Sequence, residues 1–304
     1  MSLLVVGSVA FDAVRTPHGS VEKMLGGSAT YFAVAASYFA PVRVVGVVGD
    51  DFEEQHLRVL RDRGVCTEGI ERVPGKTFFW AGEYAPNMNE RTTLDTQLNV
   101  FATFQPKLPG HYRQSPFLFL ANIHPRLQRQ VQEQMRSPQL VGGDTMNLWI
   151  ETERPALERM LQGLDILVIN DAEARQLSGE WNLAKAGRRI RALGPRTVVI
   201  KRGDNGASVY EEDHVFMAPA LPLENVVDPT GAGDSFAGGF MGYLAASANG
   251  VPTTPRARMR RAIIYGSVMG SFAVERFGLE RLQHLTREEI DDRYSQFRQL
   301  THFD

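Results

Sequence analysis

The sequence predicts an α/β fold: a doubly wound, mostly parallel sheet with a small β-sheet lid. Three observations carry this expectation. Short apolar runs recur along the chain, helical patterns lie between them, and one β-prone aromatic stretch interrupts the alternation. Strands that alternate with helices need crossover connections, and these place helices on both faces of a parallel sheet.

The elements follow in chain order. Leu3 to Val6 and Val42 to Val48 are apolar runs with the Val and Leu content of buried strands. Between and after them, Ser28 to Phe39 is small and apolar, and Gln55 to Arg63 is amphipathic; both read as helices. Phe117 to Leu120, Ile166 to Ile169 and Thr197 to Ile200 repeat the strand signal. Arg126 to Arg136, Arg154 to Leu161, Leu183 to Leu193 and Ser235 to Ala248 repeat the helical one. Lys76 to Thr103 breaks the rhythm. Its aromatic run Phe78-Phe79-Trp80 and the mixed stretch Arg91 to Phe101 read as two or three antiparallel strands. Ala13 to Leu25 falls between a strand and a helix and could pair with them. The expected division is a core of residues 1–12, 26–74 and 104–304, with a lid of residues 13–25 and 75–103. Such a sheet would cover the carboxyl ends of the parallel strands, where open α/β sheets bind ligands. An ordinary edge hairpin is the alternative.

Composition narrows the function classes. Of 304 residues, 43% are apolar and 22% charged, with a formal net charge of −2. That balance argues against disorder and against nucleic-acid binding, which needs a basic footprint. No apolar run is long enough to suggest a membrane span, and the first residues lack a secretory pattern. Cys66 is the only cysteine, so no intrachain disulfide or cysteine cluster can form. A cytoplasmic address and a small-molecule partner are the expectation.

The most informative stretch is Val226 to Phe240, where a short apolar segment enters a Gly-rich turn and a helix leaves it. Gly231 and Gly233 allow close ligand approach, and free N–H groups at a helix start make an anion site. Asp234 would repel a phosphate held there. The conflict disappears if Asp234 is a base that deprotonates an attacking hydroxyl while the amides neutralise a transferring phosphoryl group. A plain turn with Asp234 in a helix's first turn is the competing explanation. Two other phosphate motifs fail on spacing. A dinucleotide fingerprint would need glycine where Phe236 stands, and the Gly75-Lys76-Thr77 triplet has Ile70 where a P-loop needs its first glycine.

With these residues in view, Asp228-Pro229-Thr230-Gly231-Ala232-Gly233-Asp234 resembles the C-terminal signature of the ribokinase-like (PfkB) carbohydrate kinases. The resemblance covers nearly the whole chain. Gly7 to Asp12 resembles the first strand with its substrate-binding Asp, and Gly26-Gly27-Ser28-Ala29-Thr30 the Gly-Gly hinge. Asn170-Asp171-Ala172-Glu173 resembles the Asn-x-x-Glu motif, and Lys201 to Gly206 the segment that contacts ATP phosphates. It implies a ribokinase-like three-layer αβα fold and an ATP-dependent kinase acting on a hydroxyl of a sugar or small polyol. By the same resemblance, Asp234 is the general base and the Gly231, Ala232 and Gly233 amides form the anion hole. Asn170 and Glu173 organise Mg²⁺, with Glu173 acting through water. Lys201, Arg202, Gly203, Gly206 and Thr230 meet the nucleotide, and Asp12, Gly26, Gly27 and Thr30 hold the acceptor. Each has an ordinary alternative: Asn170 and Glu173 suit a capping box, and Lys201 and Arg202 suit surface charges.

Departures from the family bear on the acceptor. Tyr31 and Ala10 stand where ribokinase itself carries Asn, which argues against ribose. Asp144 to Trp149 loosely resembles an Asp-x-Asn stretch of sugar-acid kinases, and Arg91 could meet a phosphate or carboxylate. Ser267 to Gly278 corresponds to the adenine pocket and a monovalent-cation loop, which suggests K⁺. Pairing of lid sheets into a homodimer is an expectation by analogy. A nucleoside kinase with Trp80 or Tyr84 stacking a base is the nearest rival reading. A silent sugar- or nucleotide-binding regulator is another.

Overall fold

Alternate residues of the central strands belong to opposite cores, which makes the molecule layered. In the computed structural model, which describes residues 1–250 and 253–302, the strands are β1 (Leu3–Val6), β2 (Ala10–Thr16), β3 (Gly19–Gly26), β4 (Val42–Val48), β5 (Cys66–Arg72), β6 (Phe78–Tyr84), β7 (Arg91–Gln97), β8 (Phe117–Leu120), β9 (Leu140–Gly143), β10 (Ile166–Asn170), β11 (Thr197–Lys201), β12 (Ala207–Tyr210) and β13 (Val215–Ala218). The helices are α1 (Ser28–Ala36), α2 (Glu54–Arg61), α3 (Pro125–Gln134), α4 (Asn147–Thr152), α5 (Arg154–Leu161), α6 (Asp171–Ser178), α7 (Leu183–Arg191), α8 (Ala232–Ala246), α9 (Pro255–Ala273) and α10 (Arg287–Thr301). The core segment expected to run to 304 includes positions 251–252 and 303–304, which lie outside the described residues.

Nine strands form one sheet in the order β13-β12-β11-β10-β9-β8-β1-β4-β5. It is parallel from β5 across to β11 and antiparallel only at β12 and β13. Leu3 and Val5 of β1 pack into the layer that contains residues of α1, α8, α9 and α10. Leu4 and Val6 pack into the opposite layer with residues of α3, α5, α6 and α7. All four are fully buried, as alternation on a strand covered on both faces requires. Among the described residues, no helix is long and apolar enough to cross a membrane.

Glycine sets how closely the helices of the first layer approach. A Cβ at Gly238 would lie 2.4 Å from the Phe32 carbonyl oxygen, so only glycine lets α8 settle on α1 at this distance. That contact brings the start of α8 over the start of α1.

A second sheet of four strands, β3-β2-β6-β7, stands apart from the first. β6 and β7 are antiparallel, as expected, and β2 joins β6 in parallel. The sheet also takes in Ala10 to Asp12 and Gly26, because Ala10 and Asp12 pair in register with Phe78 and Trp80, and Ala10 with Gly26. Asp12 therefore sits on the small sheet rather than at the end of the first core strand. Beyond Gln97 the chain turns into a short 3₁₀ helix, Asn99–Thr103, instead of a further strand.

Candidate active site

The Gly-rich turn follows Val226 to Thr230. The segment is fixed by its own acid: the buried Asp228 accepts from the Thr230 N–H at 2.9 Å and from the Gly278 N–H at 3.0 Å. Gly231 then takes a left-handed conformation, with φ 72°, and caps α8. A Cβ on Gly231 would lie 2.3 Å from the Tyr31 ring, so the turn rests on the aromatic face directly. Among the described residues, the Gly231 and Gly233 N–H groups donate to no protein acceptor. The Ala232 N–H differs from expectation, because it donates to the Pro229 carbonyl at 3.2 Å. The turn folds back at Pro229 and occupies that amide.

Asp234 lies in the first turn of α8. Burial raises its pKa to about 6, against the pull of Lys201 and Arg91, with Glu173 pushing it further up. Lys201 ends β11, and its ammonium covers the turn so closely that a Cβ on Gly233 would lie 2.7 Å from Nζ. Asn170 ends β10 in register with Lys201. Its side chain accepts from the Glu173 N–H at 2.8 Å, and Glu173 accepts from the Asn170 N–H at 3.0 Å. The capping box is therefore present, and the same box aims Glu173 into the field of Lys201.

Lys201, Gly203 and Gly206 line a cavity of about 530 Å³ together with Gly233, Phe236 and Ser271. Arg202 is half-buried beside it, and its N–H closes the turn onto the Gly206 carbonyl at 2.8 Å. The carboxylate of Asp12, within the electrostatic reach of Asp234, lies over Gly26, where a Cβ would come within 2.0 Å of Oδ2. Gly27 follows at φ 95°. Thr30 is fully buried, and its hydroxyl has no hydrogen-bond partner among the described residues. Burial lifts Asp12 to about 7, opposed by the Gly27 N–H and reinforced by Asp228 and Asp234.

Four residues at this site lie outside the expected site set, although the sequence offers Arg91 to a phosphate or carboxylate and Tyr84 to a base. Asp144 follows β9, is 5% exposed, and leaves Oδ1 without a partner. Burial and the neighbouring Asp234 push its pKa well above the carboxylate range. Arg91 reaches from β7 and pulls down the pKa of both Asp12 and Asp234. Tyr31 lies beneath Gly231, and Tyr84 accepts a 3.3 Å hydrogen bond from Thr230 Oγ1. The position of Asp144 at a strand's carboxyl end was a usable signal, had β9 been recognised.

The raised carboxyls have a consequence for stability. The folded protein keeps the Asp12 proton up to about pH 7, whereas an unfolded chain releases it near 3.8. Folded protein thus binds more protons across that window, and stability falls as pH rises through it. Asp12→Asn should raise Tm at pH 8, by about 2–4 °C for each kcal/mol recovered, with little gain near pH 4. Thermal scans across pH measure this; identical Tm values at pH 8 would exclude burial of the charge as the cause.

A model of the pfkB family carbohydrate kinases matches residues 1–284. The chain is 29% identical over 252 residues to a cytidine kinase of Thermococcus kodakarensis, covering 80% of this chain and 88% of that one. It is 28% identical over 301 residues to a nucleoside kinase of Methanothermobacter thermautotrophicus, covering 91% of each. A crystal structure of a candidate ribokinase II from E. coli, in complex with ATP and Mg²⁺, superposes with a TM-score of 0.79 at 20% identity, over 97% of this chain and 99% of that one. At that identity the superposition speaks for the fold, which is the ribokinase fold. The family match extends over nearly the whole chain, and the protein is therefore a member of the pfkB family of carbohydrate kinases.

Proposed function

We propose that this kinase transfers the γ-phosphate of ATP to a sugar hydroxyl of a nucleoside, with Asp234 as general base. The observation that carries the reading is the position of Asp234. It interacts electrostatically with the Asp12 carboxylate and follows Gly233, which lines the cavity, beside unpartnered glycine amides and a lysine. In the reaction, Asp234 takes the proton from the acceptor hydroxyl, and that oxygen forms a bond to the γ-phosphorus. The bond from phosphorus to the β–γ bridging oxygen breaks, and ADP leaves with its electron pair. Phosphoryl transfer asks the protein mainly for positioning and charge neutralisation. The Gly231 and Gly233 amides, Lys201 and Arg91 supply the neutralisation, and Thr230 supports the turn. Lys201, Arg202, Gly203 and Gly206 hold the nucleotide, while Asp12, Gly26, Gly27 and Thr30 hold the acceptor.

The oxygen donors fit Mg²⁺, a hard cation. Glu173 and the unpartnered Asp144 Oδ1 face the same lysine, and both would help hold the ion. Bound with ATP, Mg²⁺ neutralises phosphate charge. A monovalent cation such as K⁺ near Val274 to Gly278 belongs to the same reading; that segment already binds the turn through the Val274 carbonyl and the Gly278 N–H. A cytoplasmic address and a homodimer through the small sheet also belong to it. β7 is exposed along its length and carries Leu94 at 53% exposure.

Trp80 favours a nucleoside over a free sugar or polyol. Its indole lies against Gly82, where a Cβ would come within 2.1 Å of the ring. It stands in register with Asp12 on the adjacent strand. An apolar plane beside a hydroxyl-binding carboxylate suits a base joined to a sugar. The test is ATP consumption across nucleosides, sugars, sugar acids and sugar phosphates, repeated with Trp80→Ala. Nucleosides should give the largest kcat/KM, and the variant should lose about tenfold for them by removing one stacking contact. Preference for free sugars, with no effect of Trp80→Ala, would return the acceptor to the sugar or polyol class.

A further inference from the structure

The small sheet is fastened to the turn that carries the free amides, and it is fastened twice. Thr16 at the end of β2 donates its hydroxyl to the Val227 carbonyl at 2.9 Å. Tyr84 at the end of β6 accepts from Thr230 Oγ1 at 3.3 Å, with both residues at least nine-tenths buried. The two contacts join opposite ends of the segment that leads into Gly231. They span 211 and 146 residues of sequence, so tertiary structure alone creates them. From the core side the same segment is held by the Val274 carbonyl, which accepts from Val227 and Asp228, and by the Gly278 N–H on Asp228. Arg91 stands opposite Tyr84 in the register of β6 and β7 and pulls the phenol's pKa down.

We propose that Tyr84 is a positioning residue: it ties the acceptor-side sheet to the anion-hole turn, so that the sheet sets the geometry of phosphoryl transfer. The inference rests on the kinase reading above. Its physical basis is the leverage of the turn. Thr230 is bonded to Gly231, and Asp234 follows within one helical turn, so a shift of Thr230 displaces amide and base together. Catalytic geometry is steep enough for displacements of about 1 Å to cost orders of magnitude in rate. The nucleotide cavity is lined by Lys201, Gly203 and Gly206, which are not part of the turn, as well as by Pro229, Ala232 and Gly233 of the turn itself.

Tyr84→Phe removes one oxygen and keeps the ring. It should lower kcat about tenfold, the upper range for one neutral hydrogen bond, while KM for ATP and Kd for ADP stay within about twofold. Binding of ADP with aluminium fluoride in the presence of acceptor should weaken by the same factor as kcat, because that complex samples the transfer geometry. Thr230→Val should match Tyr84→Phe. The double variant should be no worse than either, since both remove one interaction. An unchanged Tm and unchanged Kd for ADP in Tyr84→Phe guard against a merely misfolded variant. Wild-type turnover in Tyr84→Phe, losses that multiply in the double variant, or a defect confined to the acceptor KM would each overturn the assignment. Failure of the underlying reading shows separately, as full turnover without the Asp234 carboxylate.

Discussion

Asp234→Asn is expected to lower kcat by about two to four orders of magnitude, the range for a positioned acid–base group, and to leave ATP binding intact. Asparagine keeps the shape and the helix start but cannot accept the acceptor's proton. Removing the charge also relieves repulsion of the triphosphate, so ATP affinity should hold or improve. The pH dependence gives an independent check. With its pKa raised to about 6, Asp234 becomes competent only as pH rises through that value. kcat/KM should therefore climb across an acid limb near pH 6 in the wild type. The residual activity of the variant should lack that limb. Near-wild-type turnover would remove Asp234 from the mechanism.

Arg91→Ala should have the next largest effect, a loss of about 10²-fold in kcat, comparable to removing one oxyanion donor. The charge balance explains the size. Asp12, Asp144, Glu173, Asp228 and Asp234 all have raised pKa values at this site. Lys201 and Arg91 are the cations that oppose all of these except Asp228, and ATP brings more negative charge. Arg91 stands opposite Tyr84 in the register of β6 and β7, and its guanidinium lies 5.0 Å from the Trp80 ring centre. Because Arg91 lowers the pKa of Asp234, its removal should move the acid limb of the kcat/KM profile to higher pH. A variant that kept both kcat and the position of that limb would place Arg91 outside the chemistry.

How much of this was legible in the sequence follows from where the information lies. Leu3–Val6, Val42–Val48 and Phe117–Leu120 are strands at the expected bounds because, Arg43 apart, each lacks charge and is buried between two layers. β9 escaped notice because two of its four residues are glycine, and β5 because an edge strand tolerates Thr67, Glu68 and Glu71. The start of α9 is rich in arginine, which hid its buried second half. At the site, Gly231 to Asp234 could be read directly, since turn, amides and acid are contiguous. Arg91, Tyr84, Asp144 and Tyr31 come from four separate elements or loops, and only folding brings them to that turn. The partial occupation of the Ala232 amide depends on the direction in which Pro229 points its carbonyl, which residue spacing does not encode.

The most direct test of the central claim is a crystal structure with acceptor and a non-hydrolysable ATP analogue bound together. A carboxylate oxygen of Asp234 should lie about 2.6–3.2 Å from the acceptor hydroxyl, with that hydroxyl facing the γ-phosphorus and the Gly231 and Gly233 amides turned to the phosphate. An acceptor hydroxyl out of reach of Asp234, or a γ-phosphate seated away from those amides, would contradict the account.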